Sequence, residues 1–341
     1  MIQNYFRGDQ VTIFAKWLRW AKNFVILTHI SPDGDAIGSS LAMAGYLKNK
    51  GKNVKVVVPN DFPDYYLVAG GAENIIVFSE TKQYIDLISK TDVIVCLDFN
   101  ETGRVGSSLQ YYLIKSPSNK IMIDHHLNPQ PFCDITLSVP SASSTCELVY
   151  NFICAMGDFQ LIDLPIAQAL FMGLMTDTGC FAYNCSNPDI YIIVNELLKL
   201  GVDRDRIYRA VNYCYSKDRM QLMGRALQNL KMYRNGNVSL MVLSDKELQK
   251  FNYHAGDSEG FVNLPLQISG VKMSVFIRED CELNQIKFSA RSVGSVPCNQ
   301  FMSQFFHGGG HLNAAGGELR CSLEQAISIF ENAIKEWDFE F

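Results

Sequence analysis

Histidine, aspartate and glycine crowd a few short stretches of this chain, and together they could do metal chemistry. The first stretch is His29-Ile30-Ser31-Pro32-Asp33-Gly34-Asp35. Gly34 permits a tight backbone path, so the carboxylates of Asp33 and Asp35 can each reach a different cation. An Asp-rich turn capping a helix is the plainer use of such a triplet, but His29 beside it favours a metal site. Asp35, Gly38 and Ser39 also open a helical pattern, where free backbone N–H groups attract anions. Asp98 ends the apolar run Val93–Leu97. A carboxylate there must cap the turn that follows, pair, or bind a metal, because an isolated buried charge is costly. Arg104 could orient an aspartate or contact a phosphate, although an exposed surface arginine is the commoner role. Asp124-His125-His126 follows another apolar run. Successive residues at a strand end point in different directions, so one imidazole can bind a metal while the next faces a substrate. Asp177 follows the run 167–176, which reads as a helix. Carboxylates and imidazoles in these proportions suit a hydrolase with two divalent metal ions. Two cations about 3.5–4 Å apart can share a carboxylate and a bridging water, lower the pKa of that water and clamp a phosphoryl oxygen. A carboxylate-rich set without cysteine favours Mn2+ over a structural zinc site.

The elements that must position these residues alternate through the first half of the chain. Strands are predicted at Phe24–Thr28, Lys55–Val58, Ile75–Phe78, Val93–Leu97 and Lys120–Ile123, with helical segments between most of them and a helix from about Ala36 to Lys50. That alternation implies a largely parallel sheet covered by helices on both faces, with ligands beyond the carboxyl ends of the strands. His29–Asp35, Asp98 and Asp124–His126 all stand at such ends. The pattern is helical from Asn187 to Tyr233, and the Asn235-Gly236 turn precedes strands at Val238–Leu243, Met273–Ile277 and Gln285–Ser289. A glycine-rich segment, 307–317, and a helix from Leu323 to Trp337 complete what reads as a smaller α/β domain.

Bulk composition narrows the class. At 341 residues the chain is long for one core, and 48% hydrophobic with 19% charged residues describes a packed globular protein. No run approaches the roughly 18 apolar residues that span a bilayer, and the first twenty residues lack the apolar core of a signal peptide. The expectation is a soluble, cytoplasmic protein without a membrane partner. Ten scattered cysteines with no CxxC pair read as buried, reduced thiols. A net charge of −5 argues against coating long nucleic acid, but a short anionic substrate is compatible with a metal site that supplies positive field locally. A homodimer would be no more than the commonest assembly of soluble proteins.

His29-x-x-x-Asp33-x-Asp35, Asp98, Asp124-His125-His126 and Thr176-Asp177-Thr178-Gly179 resemble the four motifs of the DHH phosphoesterase superfamily. Gly308-Gly309-Gly310-His311 with Asn313-Ala314-Ala315-Gly316 resembles the signature of its DHHA1 partner domain. The match spans nearly the whole chain, in order. Within the superfamily the arrangement looks like the nano-RNase and pAp-phosphatase (NrnA-type) branch, which includes cyclic-di-AMP and pApA phosphodiesterases.

The resemblance implies an α/β DHH catalytic domain with a largely parallel sheet over residues 1–190, a helical connector over 191–234 and a smaller α/β DHHA1 substrate-binding domain over 235–341, with the active site in the cleft between them. It implies that His29 and Asp33 hold one Mn2+, that Asp35, His125 and Asp177 hold the other, and that Asp98 bridges them. His126 would contact the scissile phosphate, and Asp124 would support the histidine pair. Gly308, Gly309 and Gly310 would let the backbone approach a phosphate or sugar, His311 would donate a hydrogen bond to it, and Arg291 would take a terminal phosphate as a bidentate partner.

The expected reaction is hydrolysis of short oligonucleotides, di- to pentanucleotides such as pApA, by a hydroxide bridging the two metals. Nucleotide bisphosphates, with 3′-phosphoadenosine 5′-phosphate converted to AMP, form a second substrate class. A dedicated cyclic-di-AMP phosphodiesterase remains the nearest rival. A polyphosphatase would not require the glycine-rich second domain in this form. A nucleotide sensor would be expected to have lost metal ligands, and none is missing. A dinucleotide-binding dehydrogenase would need a GxGxxG turn after the first strand, which HISPDGDAIG does not supply.

Overall fold

The structure is a computed structural model that describes residues 5–6, 8–71, 75–254, 256–280 and 283–339. The chain divides into two compact units, Met1–Cys214 and Tyr215–Phe341. The first begins with α1 (Gly8–Trp20), β1 (Asn23–Leu27), α2 (Gly34–Asn49), β2 (Asn53–Val58) and β3 (Ile75–Val77). It continues with α3 (Lys82–Ser89), β4 (Val93–Leu97), α4 (Ser107–Lys115), β5 (Asn119–Asp124) and β6 (Ile135–Ser138). Helices α5 (Thr145–Ala155), α6 (Leu164–Asp177), α7 (Pro188–Lys199) and α8 (Arg204–Asn212) follow.

The described strands form one parallel sheet in the order β3-β2-β1-β4-β5-β6. Alternate residues along each strand face opposite ways and feed two separate cores. Phe24, Ile26, Val93, Val95, Leu97, Ile121 and Ile123 join the core under α2, α5 and α6. Val25, Leu27, Ile94, Cys96 and Met122 join the core with Ile88 of α3 and with Leu109 and Leu113 of α4. All five residues of β4 are buried, and each Val, Ile or Leu so placed contributes about 1.5–3 kcal/mol. Burial on both faces is why these strands read as continuous apolar runs. β1 lies between β2 and β4, where the strand order reverses, and the crevice beyond the carboxyl ends opens at that point. The register pairs Leu27 with Cys96 and Leu97 with Ile123, so the ends of β1, β4 and β5 lie side by side.

Local signals set the helices that frame this edge. Asp33 caps α2, Ser144 caps α5, and Asp163 caps α6 with Pro165 in its first turn. α2 and α6 approach closely because their contact surface is glycine. A Cβ on Gly38 would lie 2.5 Å from the Ala169 carbonyl oxygen, and one on Gly34 would lie 2.3 Å from Thr176 Oγ1. α7 and α8 bury Ile193, Leu197 and Ile207 in the core beneath α2.

The second unit contains α9 (Lys217–Gln228), β7 (Lys231–Tyr233), β8 (Val238–Leu243), α10 (Asp245–Lys250), β9 (Met273–Asp280) and β10 (Gln285–Ser292). It closes with α11 (Cys298–Phe305), β11 (Gly309–His311), β12 (Ala314–Leu319) and α12 (Leu323–Glu336). Its sheet runs β11-β12-β10-β9-β8-β7, with β8 and β9 parallel and the other pairs antiparallel. α11 and α12 pack Phe301 and Phe330 on one face, while Leu222 and Ala226 of α9 cover the other. Among the described residues no helix is long and apolar enough to cross a membrane. Among the described cysteines Cys96, Cys146 and Cys298 are buried, and Cys214 is exposed.

Candidate metal centre

Six side chains from different parts of the first unit converge at the sheet's carboxyl edge. His29 stands two residues beyond β1, with Nδ1 2.9 Å from the Ile30 carbonyl oxygen and Nε2 3.3 Å from Asp98 Oδ2. Asp33 Oδ1 lies 3.9 Å from the same Nε2. That oxygen also accepts hydrogen bonds from the backbone N–H groups of Asp35 and Ala36, so Asp33 is a helix cap and a member of the site at once. Asp35 is buried in the first turn of α2, and its two oxygens accept the N–H groups of Thr145 and Cys146 at 2.6 and 2.9 Å.

Asp98 follows β4 with φ +65°, a left-handed backbone that aspartate tolerates and most residues avoid. Its side chain does not cap the next turn. It accepts the Thr145 hydroxyl at 2.9 Å and faces His29 and His125. His125 places Nε2 3.6 Å from both Asp98 Oδ1 and Asp177 Oδ2, with Nδ1 3.3 Å from the Ala142 carbonyl oxygen. Asp124, fully buried, holds His126 twice, at its backbone N–H (2.9 Å) and at ring Nδ1 (2.8 Å). Donor atoms fall into three groups, each within 4.8 Å: His29, Asp33 and Asp98; Asp35, His125 and Asp177; and Asp98, His125 and His126.

This many carboxylates in one buried place repel one another. Burial and the charges of Asp98 and Asp177 push Asp35 well above the usual carboxylate range, although the two α5 N–H donors act the other way. Burial likewise raises Asp177 to about 7, against the pull of His125. Asp177 is also the last residue of α6, where the helix dipole disfavours an anion. For Asp98 burial is outweighed by the hydrogen bond and charge of His29, with His125 and His126, and its carboxyl is held well below the usual range. Burial works against protonation of His29 and His125, yet the facing carboxylates, Asp98 foremost, raise both to about 9. A cluster that retains protons on imidazoles to balance its carboxylates is one that divalent cations can take over.

The remaining predicted residues lie elsewhere. Arg104 meets this region through its backbone, its carbonyl accepting the Ile30 N–H at 2.7 Å. In the second unit Arg291 lies on β10, its guanidinium donating to the neighbouring Ala290 carbonyl at 3.0 Å and lowered in pKa by burial. The glycine run is not a loose loop. Gly308 leads into β11, which pairs with β12, and a Cβ on Gly308 or Gly310 would strike the carbonyl oxygens of Gly316 or Ala314 at 2.0 or 2.4 Å. Only Gly309 of the three faces open space, and it borders a cavity with Gly310, Asn299, Gln300, Ser303 and Gln304. His311 ends β11 and is exposed. Sequence reading missed Thr145, Cys146 and Ala142, which hold Asp35, Asp98 and His125. The one signal for them was Ser144-Thr-Cys-Glu147 before an apolar run, a helix-start pattern.

Comparison with known proteins follows the same lines. The DHH family, N-terminal domain, matches residues 23–174, and the DHHA1 domain matches residues 235–336. A Thermus thermophilus protein named bifunctional oligoribonuclease and PAP phosphatase NrnA is 30% identical over 321 residues, covering 91% of this chain and 89% of its own. The Bacillus subtilis protein of the same name is 26% identical over 318 residues, covering 92% and 95%. The crystal structure of an exopolyphosphatase-related protein from Bacteroides fragilis superposes with a TM-score of 0.93 at 47% identity, covering 97% of this chain and 96% of that one. This chain is a hydrolase that belongs to the DHH phosphoesterase family, with a DHHA1 domain after the DHH domain.

Proposed function

We propose that the protein hydrolyses short oligoribonucleotides to mononucleotides, and 3′-phosphoadenosine 5′-phosphate to AMP, with two divalent cations, Mn2+ foremost, held at the sheet edge. The observation that carries this reading is the pair of three-residue donor groups, His29, Asp33, Asp98 and Asp35, His125, Asp177, which stand next to each other with Asp98 close to both histidines. The donor set fits such ions, since every member is a carboxylate or an imidazole and the buried carboxylates are short of positive charge. When bound, the cations supply an acidified water and neutralise charge growing on phosphoryl oxygens. Asp98 would serve both positions. Asp124 fixes the ring of His126, which would present it to the phosphate; Arg291 would take a terminal phosphate in the second unit. The names of the Thermus and Bacillus relatives support the nucleotide substrates.

The test is turnover of pApA, a five-nucleotide RNA, 3′-phosphoadenosine 5′-phosphate, cyclic-di-AMP and tripolyphosphate, with Mn2+ and after chelation. Metal-dependent release of mononucleotides from pApA and the short RNA is expected. Turnover confined to tripolyphosphate would replace this reading with the one the Bacteroides fragilis relative's name suggests. Turnover confined to cyclic-di-AMP would make the protein a dedicated cyclic-dinucleotide phosphodiesterase. Arg291→Ala is expected to raise KM for phosphate-terminated substrates by roughly ten- to a hundredfold, the loss of a charge-assisted bidentate contact, with a smaller change in kcat. Unchanged kinetics on all five compounds would remove Arg291 from the site.

Loading the site must also expel protons. His29 and His125 titrate at about 9 and Asp177 at about 7, so near pH 7.5 both imidazoles are protonated before metal enters. Calorimetry in buffers of different ionisation enthalpy should read release of at least two protons, the imidazoles supplying two and the raised carboxyls of Asp35 and Asp177 whatever they hold besides. Apparent Mn2+ affinity should rise from pH 6 to 9 and level off above the histidine values. Affinity flat over that range would mean that the imidazoles are not ligands.

A further inference from the structure

One residue touches carboxylates from both donor groups, and it is not a candidate ligand itself. Thr145 opens α5, and its backbone N–H donates to Asp35 Oδ2 at 2.6 Å while its hydroxyl donates to Asp98 Oδ1 at 2.9 Å. The next N–H, of Cys146, takes the other oxygen of Asp35 at 2.9 Å. Asp35 is therefore seated squarely on the open end of a helix, and Asp98 is turned by a hydroxyl from the same residue. The hydroxyls of the two nearby threonines are directed inward: Thr176 Oγ1 donates to Met172 and Gly173 carbonyls, and Thr178 Oγ1 to the Leu174 carbonyl. Thr145 instead reaches across 47 residues of sequence to Asp98 and 110 to Asp35.

The segment that carries Thr145 is itself held in place. Ser144 caps α5 by accepting the Glu147 N–H at 3.0 Å. The buried Glu147 carboxylate accepts the N–H and the hydroxyl of Ser143, each at 2.7 Å, and the Tyr5 hydroxyl at 2.8 Å. One residue earlier, the Ala142 carbonyl oxygen lies 3.3 Å from His125 Nδ1, which directs Nε2 towards Asp98 and Asp177. Residues 142–146 thus contact three of the six candidate ligands.

We propose that Thr145 is the positioning residue that keeps Asp35 and Asp98 oriented for two adjacent cations, its N–H acting on one carboxylate and its hydroxyl on the other. The inference rests on the metal reading of the site. It predicts that loss of the hydroxyl alone damages metal binding and turnover together, because an outer partner of a ligand sets the direction of its lone pairs.

The experiment compares full-length wild type with Thr145→Val, Thr145→Ala and Thr145→Ser. Mn2+ binding is read by titration calorimetry, kcat and KM on pApA at saturating Mn2+, and thermal unfolding without metal. Valine keeps the shape and the N–H but removes the hydroxyl; serine keeps the hydroxyl. Thr145→Val is expected to weaken Mn2+ binding about tenfold or more and lower kcat roughly ten- to a hundredfold, leaving KM within about threefold. Thr145→Ser should stay within about threefold of wild type on every measure. Wild-type binding and turnover in Thr145→Val would overturn the proposal. Equal damage in the serine and valine variants would assign the effect to packing, and unfolding of both the valine and alanine variants would assign it to the fold; either result rejects a positioning role. Should wild type bind Mn2+ but cleave none of the nucleotides, the proposed function fails while the metal titrations still decide the role of Thr145.

Discussion

Asp98→Asn should lower kcat/KM on pApA by about 10³–10⁴-fold, because it removes the charge that faces His29 of one donor group and His125 of the other. Asparagine is the informative replacement. It keeps the size and hydrogen-bonding capacity of the side chain, and it is one of the few residues that accept the left-handed backbone at this position, where φ is +65°. Alanine would add about 1 kcal/mol or more of backbone strain and confuse the result. The fold should survive, since Thr145 and His29 can still bond an amide. The change also removes the main partner that raises His29 and His125 to about 9, so both imidazoles should titrate nearer their ordinary value. NMR of the histidine rings in the metal-free protein measures that shift directly. Activity within tenfold of wild type would rule out Asp98 as the common member of a two-cation site.

The second large effect is steric. In Gly38→Ala the new methyl would lie 2.5 Å from the Ala169 carbonyl oxygen and 3.0 Å from the Gly173 nitrogen, both backbone atoms that cannot rotate away. α2 and α6 must separate, and a separation of that kind costs about 2–3 kcal/mol. For a unit of this size the melting temperature should fall by roughly 4–12 °C. The damage should extend to function, because α2 carries Asp35 and α6 carries Asp177, two members of one donor group. Gly224→Ala in α9 is the control. Nothing lies within 4 Å of its added Cβ, so better helix propensity should leave stability unchanged or raise it by up to about 1 kcal/mol. Equal stability in the Gly38 variant, measured by denaturant unfolding, would show that the two helices have slack.

Much of this was readable in advance because the chemistry lies where strands stop. Val93–Leu97 is apolar throughout because the strand is buried on both faces, so Asp98 had to mark its end. The same reasoning located His29 and Asp124–His126. The plainer alternative for Asp33, a helix cap, is what its Oδ1 does, and the same oxygen lies 3.9 Å from His29 Nε2. β6 escaped notice because Ile135–Ser138 is only four residues of alternating burial. The β11–β12 hairpin escaped because glycine is a poor strand former; here it is needed for backbone to lie against backbone, as at Gly317, where a Cβ would come within 2.7 Å of the Phe306 carbonyl oxygen. Thr145 was invisible for a different reason. Its partners are 47 and 110 residues away, and no local pattern records a contact of that range.

The start of the chain has a practical consequence for anyone labelling this protein. Tyr5 reaches Glu147, Glu147 holds Ser143, and the adjoining Ala142 faces His125, so a change that displaces Tyr5 loosens the first link of a chain of contacts that ends at the candidate metal centre. Affinity handles belong at the other terminus.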